Sequence, residues 1–250
     1  MLRERVVDWN GYPFRVPAIA GLDTLEVRSR VMFFAGENGS GKSTLLEAIA
    51  SHYGFGPEGG NRNLLHDTTE HNHGIAPLVK ALRLSFDVRT GAGFFLRAES
   101  FFNAATHIDN LDKEPAFGPP IIDSFGGVGL HEQSHGESFF ALLLHKFRRN
   151  GLFLLDEPEA ALSPQRQLSF LVLMHDTLKR YKDAQFIIST HSPILLGYPE
   201  AQIFSFDDGK VHEISYQETQ PLEIVRRFVN NREEMLCELL QETYELFPRD

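Results

Sequence analysis

The sequence predicts an α/β fold, a mostly parallel sheet flanked by helices with an antiparallel β edge. Three observations predict it. The runs Val31 to Ala35, Leu152 to Leu155 and Ala184 to Ile188 have strand length and almost no polar alternation, as in strands covered on both faces. The first two are followed by segments whose apolar residues recur at helical spacing: Leu45, Leu46 and Ile49, then Leu168, Leu171, Val172, His175 and Leu178. Between the first strand and its helix lies Gly36-Glu37-Asn38-Gly39-Ser40-Gly41-Lys42-Ser43, which fits the pattern G-x-x-x-x-G-K-[ST].

With 250 residues and 42% hydrophobic content, the chain can build one substantial core, so residues 1–250 are expected to form a single domain. Long polar stretches at 54–77 and 103–129 read as insertions or mobile loops within it. The formal net charge of −10 excludes an overall basic field that would draw the protein to nucleic acid or anionic membranes. Cys237 is the single cysteine, which excludes an intramolecular disulfide and fits a reducing compartment. No apolar run reaches the length of a membrane span and the N-terminus carries no secretory pattern. A cytoplasmic protein without a transmembrane segment of its own is expected.

Trp9 to Val27 reads as short strands broken by Gly11, Pro13, Pro17 and Gly21, forming the antiparallel edge that leads into the first buried strand. Tyr12 and Phe14 precede the glycine-rich loop by a distance that lets a ring return to stack on a base; packing under the sheet is the other reading. In the loop, glycines let backbone N–H groups curl around a phosphate, and the helix that follows, beginning near Thr44, aims its positive end at the same anion. Lys42 can reach the outer phosphates, and the Ser43 hydroxyl can bind Mg²⁺. His66, His71 and His73 with Asp67 and Glu70 match no ordered zinc spacing and read as a solvated loop. Ala81 to Arg89 and Gly93 to Phe101 read as a hairpin.

Ser134 and Gly136 stand where a helix over Phe139 to Phe147 begins, a place where small groups and free N–H donors grip phosphate, although taken alone they read better as an ordinary Ser134 N-cap. The strand Leu152 to Leu155 ends in Asp156 and Glu157. At the carboxyl end of a parallel strand one acid can hold Mg²⁺ and the next can orient and deprotonate a water. Ser163 and Pro164 mark the start of a helix over Gln165 to Tyr181. His191 lies just beyond the strand Ala184 to Ser189. Gln202 to Ser205 and Lys210 to Ser215 read as a hairpin, and Pro221 to Phe247 as an amphipathic helical region.

In this order the motifs resemble the ATP-binding-cassette (ABC) superfamily of P-loop NTPases, in particular members without transporter partners that are related to SMC and RecF-type proteins. Gly36 to Ser43 is similar to Walker A, Ser134-His135-Gly136-Glu137 to a divergent signature motif, Leu152 to Glu157 to Walker B, Ala161 to Ser163 to the D-loop and His191 to the switch histidine. The resemblance implies ATP and Mg²⁺ as ligands, Ser43 and Asp156 at the metal, and Lys42, Glu157 and His191 in hydrolysis. It further implies an ATP-driven homodimer in which Ser134 and Gly136 complete the site of the other copy, acting on DNA or a protein. The glutamine expected after the second strand is missing; Glu99, Ser100 and Asn103 are its positional candidates. Lys146, Arg148 and Arg149, and the pair Arg226-Arg227, are the local hints of nucleic acid. A transporter's ATP-binding subunit and a non-hydrolysing nucleotide sensor are the rival readings.

Overall fold

The computed structural model describes residues 1–56, 72–98 and 135–246. Six strands form one sheet in the order β2-β3-β4-β1-β5-β6: β1 Val31–Ala35, β2 Gly93–Arg97, β3 Leu152–Asp156, β4 Gln185–Ser189, β5 Gln202–Ser205 and β6 His212–Ile214. All neighbours are parallel except β5 and β6. The parallel strands therefore end together on one edge of the sheet.

Alternate side chains of each central strand enter different apolar layers, which is why these runs lack polar alternation. Val31, Phe33, Phe153 and Phe186 pack with helices α4 His135–Lys146, α5 Pro164–Arg180 and α6 Pro193–Leu196. Met32, Phe34, Leu154 and Ile187 pack on the other side with α1 Pro17–Ala20, α2 Lys42–Tyr53 and α3 Asn72–Ala81. Helices α7 Gln220–Asn230 and α8 Arg232–Leu246 follow β6.

Four expectations need correction. Trp9 to Val27 forms turns and α1 rather than strands; Pro17 occupies the first turn of α1, where a missing N–H costs nothing, and the antiparallel edge lies at β6 instead. Residues 72–77, expected to be loop, begin α3, because Ile75, Leu78, Ala81 and Leu82 bury one helical face. The expected hairpin is absent: 82–92 contains no strand, and β2 runs parallel to β3. Leu82, Leu84, Phe86 and Val88 alternate without forming a strand: Phe86 and Val88 are exposed and, among the described residues, no strand pairs with the segment. Gly93 meets Leu152 so closely that an added Cβ would stand 2.1 Å from the Leu152 carbonyl oxygen, so this pairing requires glycine.

The fourth correction concerns α5. It buries Gln167, Phe170, Met174, Thr177 and Leu178, and leaves Leu168 and Val172 exposed, so the inward face differs from the expected one. Polar residues hold two inward positions because they are satisfied there. Gln167 donates to the Leu162 carbonyl at 3.0 Å and accepts from the Ser192 hydroxyl at 2.6 Å, while Thr177 donates to the Leu173 carbonyl at 2.8 Å. The Ser163 side chain accepts from the Arg166 N–H, as expected of the N-cap. The expected loops within 57–71 and 103–129 lie outside the described residues.

Candidate functional site

The ends of the parallel strands bring together residues far apart in the chain. Register places Arg97 beside Asp156 and Asp156 beside Ser189, while the chain leaves β1 through Gly36 and β5 towards Asp207. Gly36, Gly39 and Gly41 all have positive φ, at 141°, 82° and 105°. At Gly36 a side chain is excluded twice over, since an added Cβ would lie 2.9 Å from Asp207 Oδ1. Asp207 ties the loop down by accepting from the Glu37 N–H at 3.0 Å.

Lys42 opens α2 and is only 3% exposed. Its Nζ donates to the carbonyls of Gly36 and Glu37, both at 2.7 Å, so the ammonium is folded back under the loop. Burial lowers its pKa; the charges of Glu157, Asp156, Asp207 and Glu159 oppose that and favour the charged form. One residue on, the Ser43 hydroxyl donates to Asp156 Oδ1 at 2.8 Å. This bond joins the glycine-rich loop to the end of β3. Burial raises the Asp156 pKa, opposed by the Ser43 hydrogen bond and by Arg97, whose Nε lies 3.5 Å from Oδ2.

Glu157 has a left-handed backbone, φ 49° and ψ 52°, and its N–H donates to the Ser189 carbonyl at 2.9 Å. Such a conformation is costly for a residue with a Cβ and is held by its surroundings at functional sites. The chain then turns through Pro158–Ala161, which places Glu159 beneath the end of β4. Glu159 Oε1 accepts from the Thr190 hydroxyl at 2.7 Å and the His191 N–H at 2.8 Å, and lies 3.3 Å from His191 Nδ1. Burial raises the Glu159 pKa, against the bonds from Thr190 and His191. The His191 side chain is half exposed and borders a cleft of about 540 Å³ shared with Gly36, Glu37, Gln167, Gln220 and Ile224.

Buried polar atoms are nearly always hydrogen-bonded. Among the described residues, Ser40 Oγ, Glu159 Oε2 and Ser189 Oγ are the buried side-chain atoms without a hydrogen bond, and all three line this edge of the sheet. The donor chemistry fits Mg²⁺, a hard cation that takes one or two protein oxygens and completes its shell with phosphate and water. Among the described residues, Ser43 and Asp156 offer two such oxygens side by side. Among the described residues no three His, Cys, Asp or Glu side chains form a metal cluster.

Tyr12 is partly exposed and its hydroxyl lies 3.0 Å from Thr44 Oγ1, which puts its ring at the start of α2. Phe14 cannot stack on a base: it is 2% exposed and packs against Trp9 at 5.5 Å between ring centroids. Gly136 lies in the first turn of α4; Ser134, Glu99, Ser100 and Asn103 lie outside the described residues, as do His66, Asp67, Glu70 and His71. Of the residues read as local hints of nucleic acid, Arg148 and Arg149 are exposed. Lys146 is buried, Arg226 donates to Gln217 at 2.6 Å, and Arg227 pairs with Glu238 at 3.1 Å.

Glu159, Arg97 and Asp207 were missed by sequence reasoning. One signal could have found all three, since each is a charged residue at or just beyond the carboxyl end of a strand in the same parallel set.

Residues 123–197, which contain β3, Glu157, Glu159, α5, β4 and His191, match a family model described as "AAA domain, putative AbiEii toxin, Type IV TA system". In motif order the chain resembles ABC-type P-loop ATPases. Similar solved structures include a "putative metal-chelate type ABC transporter" in an inward-facing conformation, at 15% identity over 77% of this chain and 75% of that one, with a TM-score of 0.45. Another is the dimeric bacterial ABC transporter cassette MJ0796, at 17% identity over 77% of this chain and 88% of that one, TM-score 0.40. The SMC head domain from Thermotoga maritima matches at 18% identity over 75% of this chain and 90% of that one, TM-score 0.38. Comparison with the curated proteins finds no match. Among the described residues, no helix is long and apolar enough to cross a membrane.

Proposed function

We propose that the protein binds ATP at the Gly36–Thr44 loop and hydrolyses it with Mg²⁺. The hydrogen bond of Ser43 to Asp156 carries this reading, because it unites a phosphate-binding loop with a buried carboxylate in one hard-oxygen site. Loop N–H groups and Lys42 hold the phosphates, and Lys42 exchanges its two carbonyl partners for phosphate oxygens. Tyr12 offers its ring to the base. Ser43 and Asp156 would hold Mg²⁺, which would supply positive charge to offset that of the phosphates.

Glu157 accepts the proton of a water that attacks the γ-phosphorus; the bond from that phosphorus to the bridging oxygen breaks, and ADP and phosphate leave. His191 donates to the transferred group, held in place by Glu159. Ser134 and Gly136 act in trans, gripping the nucleotide of a second copy, so that ATP joins two protomers and hydrolysis releases them. The work is done inside the cell on a macromolecular partner, DNA or protein.

Phosphate release tests the reading. Turnover is expected with ATP and Mg²⁺, and is abolished by chelation or by Asp156→Asn. Nucleotide binding without phosphate release at micromolar enzyme would leave a sensor in place of an ATPase.

A further inference from the structure

Arg97 ends β2 in the position where it touches both elements that hold the candidate cation site. Its Nε lies 3.5 Å from Asp156 Oδ2 on β3, and its Nη1 lies 3.5 Å from Glu47 Oε2 on α2. Glu47 stands one helical turn beyond Ser43, on the same face of α2. The three side chains are mostly buried, at 28% exposure for Arg97, 12% for Glu47 and 8% for Asp156. Asp156 is thus engaged on both oxygens, Oδ1 by the Ser43 hydroxyl and Oδ2 by the guanidinium.

A guanidinium stays charged at any pH the protein survives, so this positive charge is a fixed feature of the site. It opposes a second cation and shares the carboxylate that such a cation needs. Two influences compete when it is removed: Asp156 loses a positioning partner, and the site loses a repulsive charge. The second outweighs the first, because the Ser43 hydroxyl still holds Asp156 Oδ1 when the guanidinium is gone, whereas nothing replaces its charge.

We propose that the charge of Arg97 holds divalent cations off the Ser43–Asp156 site until nucleotide phosphates bring their own negative charge, so that cation and nucleotide enter together. The proposal rests on the reading of Ser43 and Asp156 as the cation site.

The test is Mn²⁺ binding to the full chain, read from the electron paramagnetic resonance of free Mn²⁺, with and without a non-hydrolysable ATP analogue. Wild type is expected to bind Mn²⁺ weakly alone and more tightly with the analogue. Arg97→Gln is expected to bind Mn²⁺ alone about tenfold more tightly than wild type. Arg97→Lys, which keeps the charge, stays near wild type, and Arg97→Gln combined with Asp156→Asn returns to weak binding. Arg97→Met reads the same effect should the glutamine variant not fold. Unchanged or weaker Mn²⁺ affinity in Arg97→Gln and Arg97→Met overturns the proposal alone. If Asp156→Asn binds Mn²⁺ with the analogue as wild type does, the cation-site reading fails and the role of Arg97 falls with it.

Discussion

Glu159 and Asp156 are both buried acids, yet their chemistry predicts different consequences of replacement. Glu159 Oε1 satisfies the Thr190 hydroxyl and the His191 N–H. Glu159→Ala strands both donors and is expected to lower stability by about 1–3 kcal/mol, while Glu159→Gln keeps an acceptor and loses much less; denaturant titration separates the two. Asp156 has its pKa raised above the ordinary carboxylate value by burial. The folded state therefore keeps this proton at pH values where the unfolded chain has lost it, and the stability this contributes disappears as pH rises through the folded pKa. Asp156→Asn does not ionise. In the absence of divalent cations its melting temperature is expected to gain on wild type as pH rises above the ordinary carboxylate range. A pH-independent difference between the two proteins would contradict this electrostatic picture.

At the scale of elements, α5 shows what hydrophobic spacing can and cannot say. Its length and N-cap are legible in Ser163-Pro164 and the periodic residues after them, but its orientation is not, since Gln167 and Thr177 occupy inward positions and Leu168 and Val172 face out. The satisfying partners, Leu162, Ser192 and Leu173, are tertiary facts that no local pattern contains. Phe170→Ala is expected to destabilise by about 3–5 kcal/mol, and Val172→Ala by less than about 0.5 kcal/mol. Equal costs at the two positions would restore the face expected from spacing.

The same division runs through the rest of the chain. Strands β1, β3 and β4 and the loop after β1 are legible because burial on both faces and positive φ leave a composition that little else requires. The placement of β2 is not, because parallel pairing with β3 depends on Gly93 approaching Leu152 across the sheet. Lys42, Ser43, Asp156, Glu157 and His191 were readable as candidates from their positions beside strands. Arg97, Glu159 and Asp207 acquire their roles from register between strands, which a linear sequence does not display.

For the whole molecule, the parallel topology gathers the carboxyl ends of five strands into one charged edge, with Lys42 and Arg97 set among Asp156, Glu157, Glu159 and Asp207. If ATP joins two protomers across that edge, Glu157→Gln with ATP and Mg²⁺ is expected to elute at twice the monomer mass, and the same variant with ADP as a monomer. A Glu157→Gln protein that stays monomeric with ATP would remove the dimer and the trans role of Gly136 together.

The central claim is that one site both grips ATP and cleaves it, and a single side-by-side measurement tests it most directly: nucleotide binding and steady-state phosphate release for wild type, Lys42→Ala and Glu157→Gln at fixed low salt. Wild type should bind and turn over, Lys42→Ala should do neither, and Glu157→Gln should bind ATP as wild type does while its turnover falls at least about a hundredfold. Turnover by Glu157→Gln at the wild-type rate, or tight ATP binding by Lys42→Ala, would contradict the assignment.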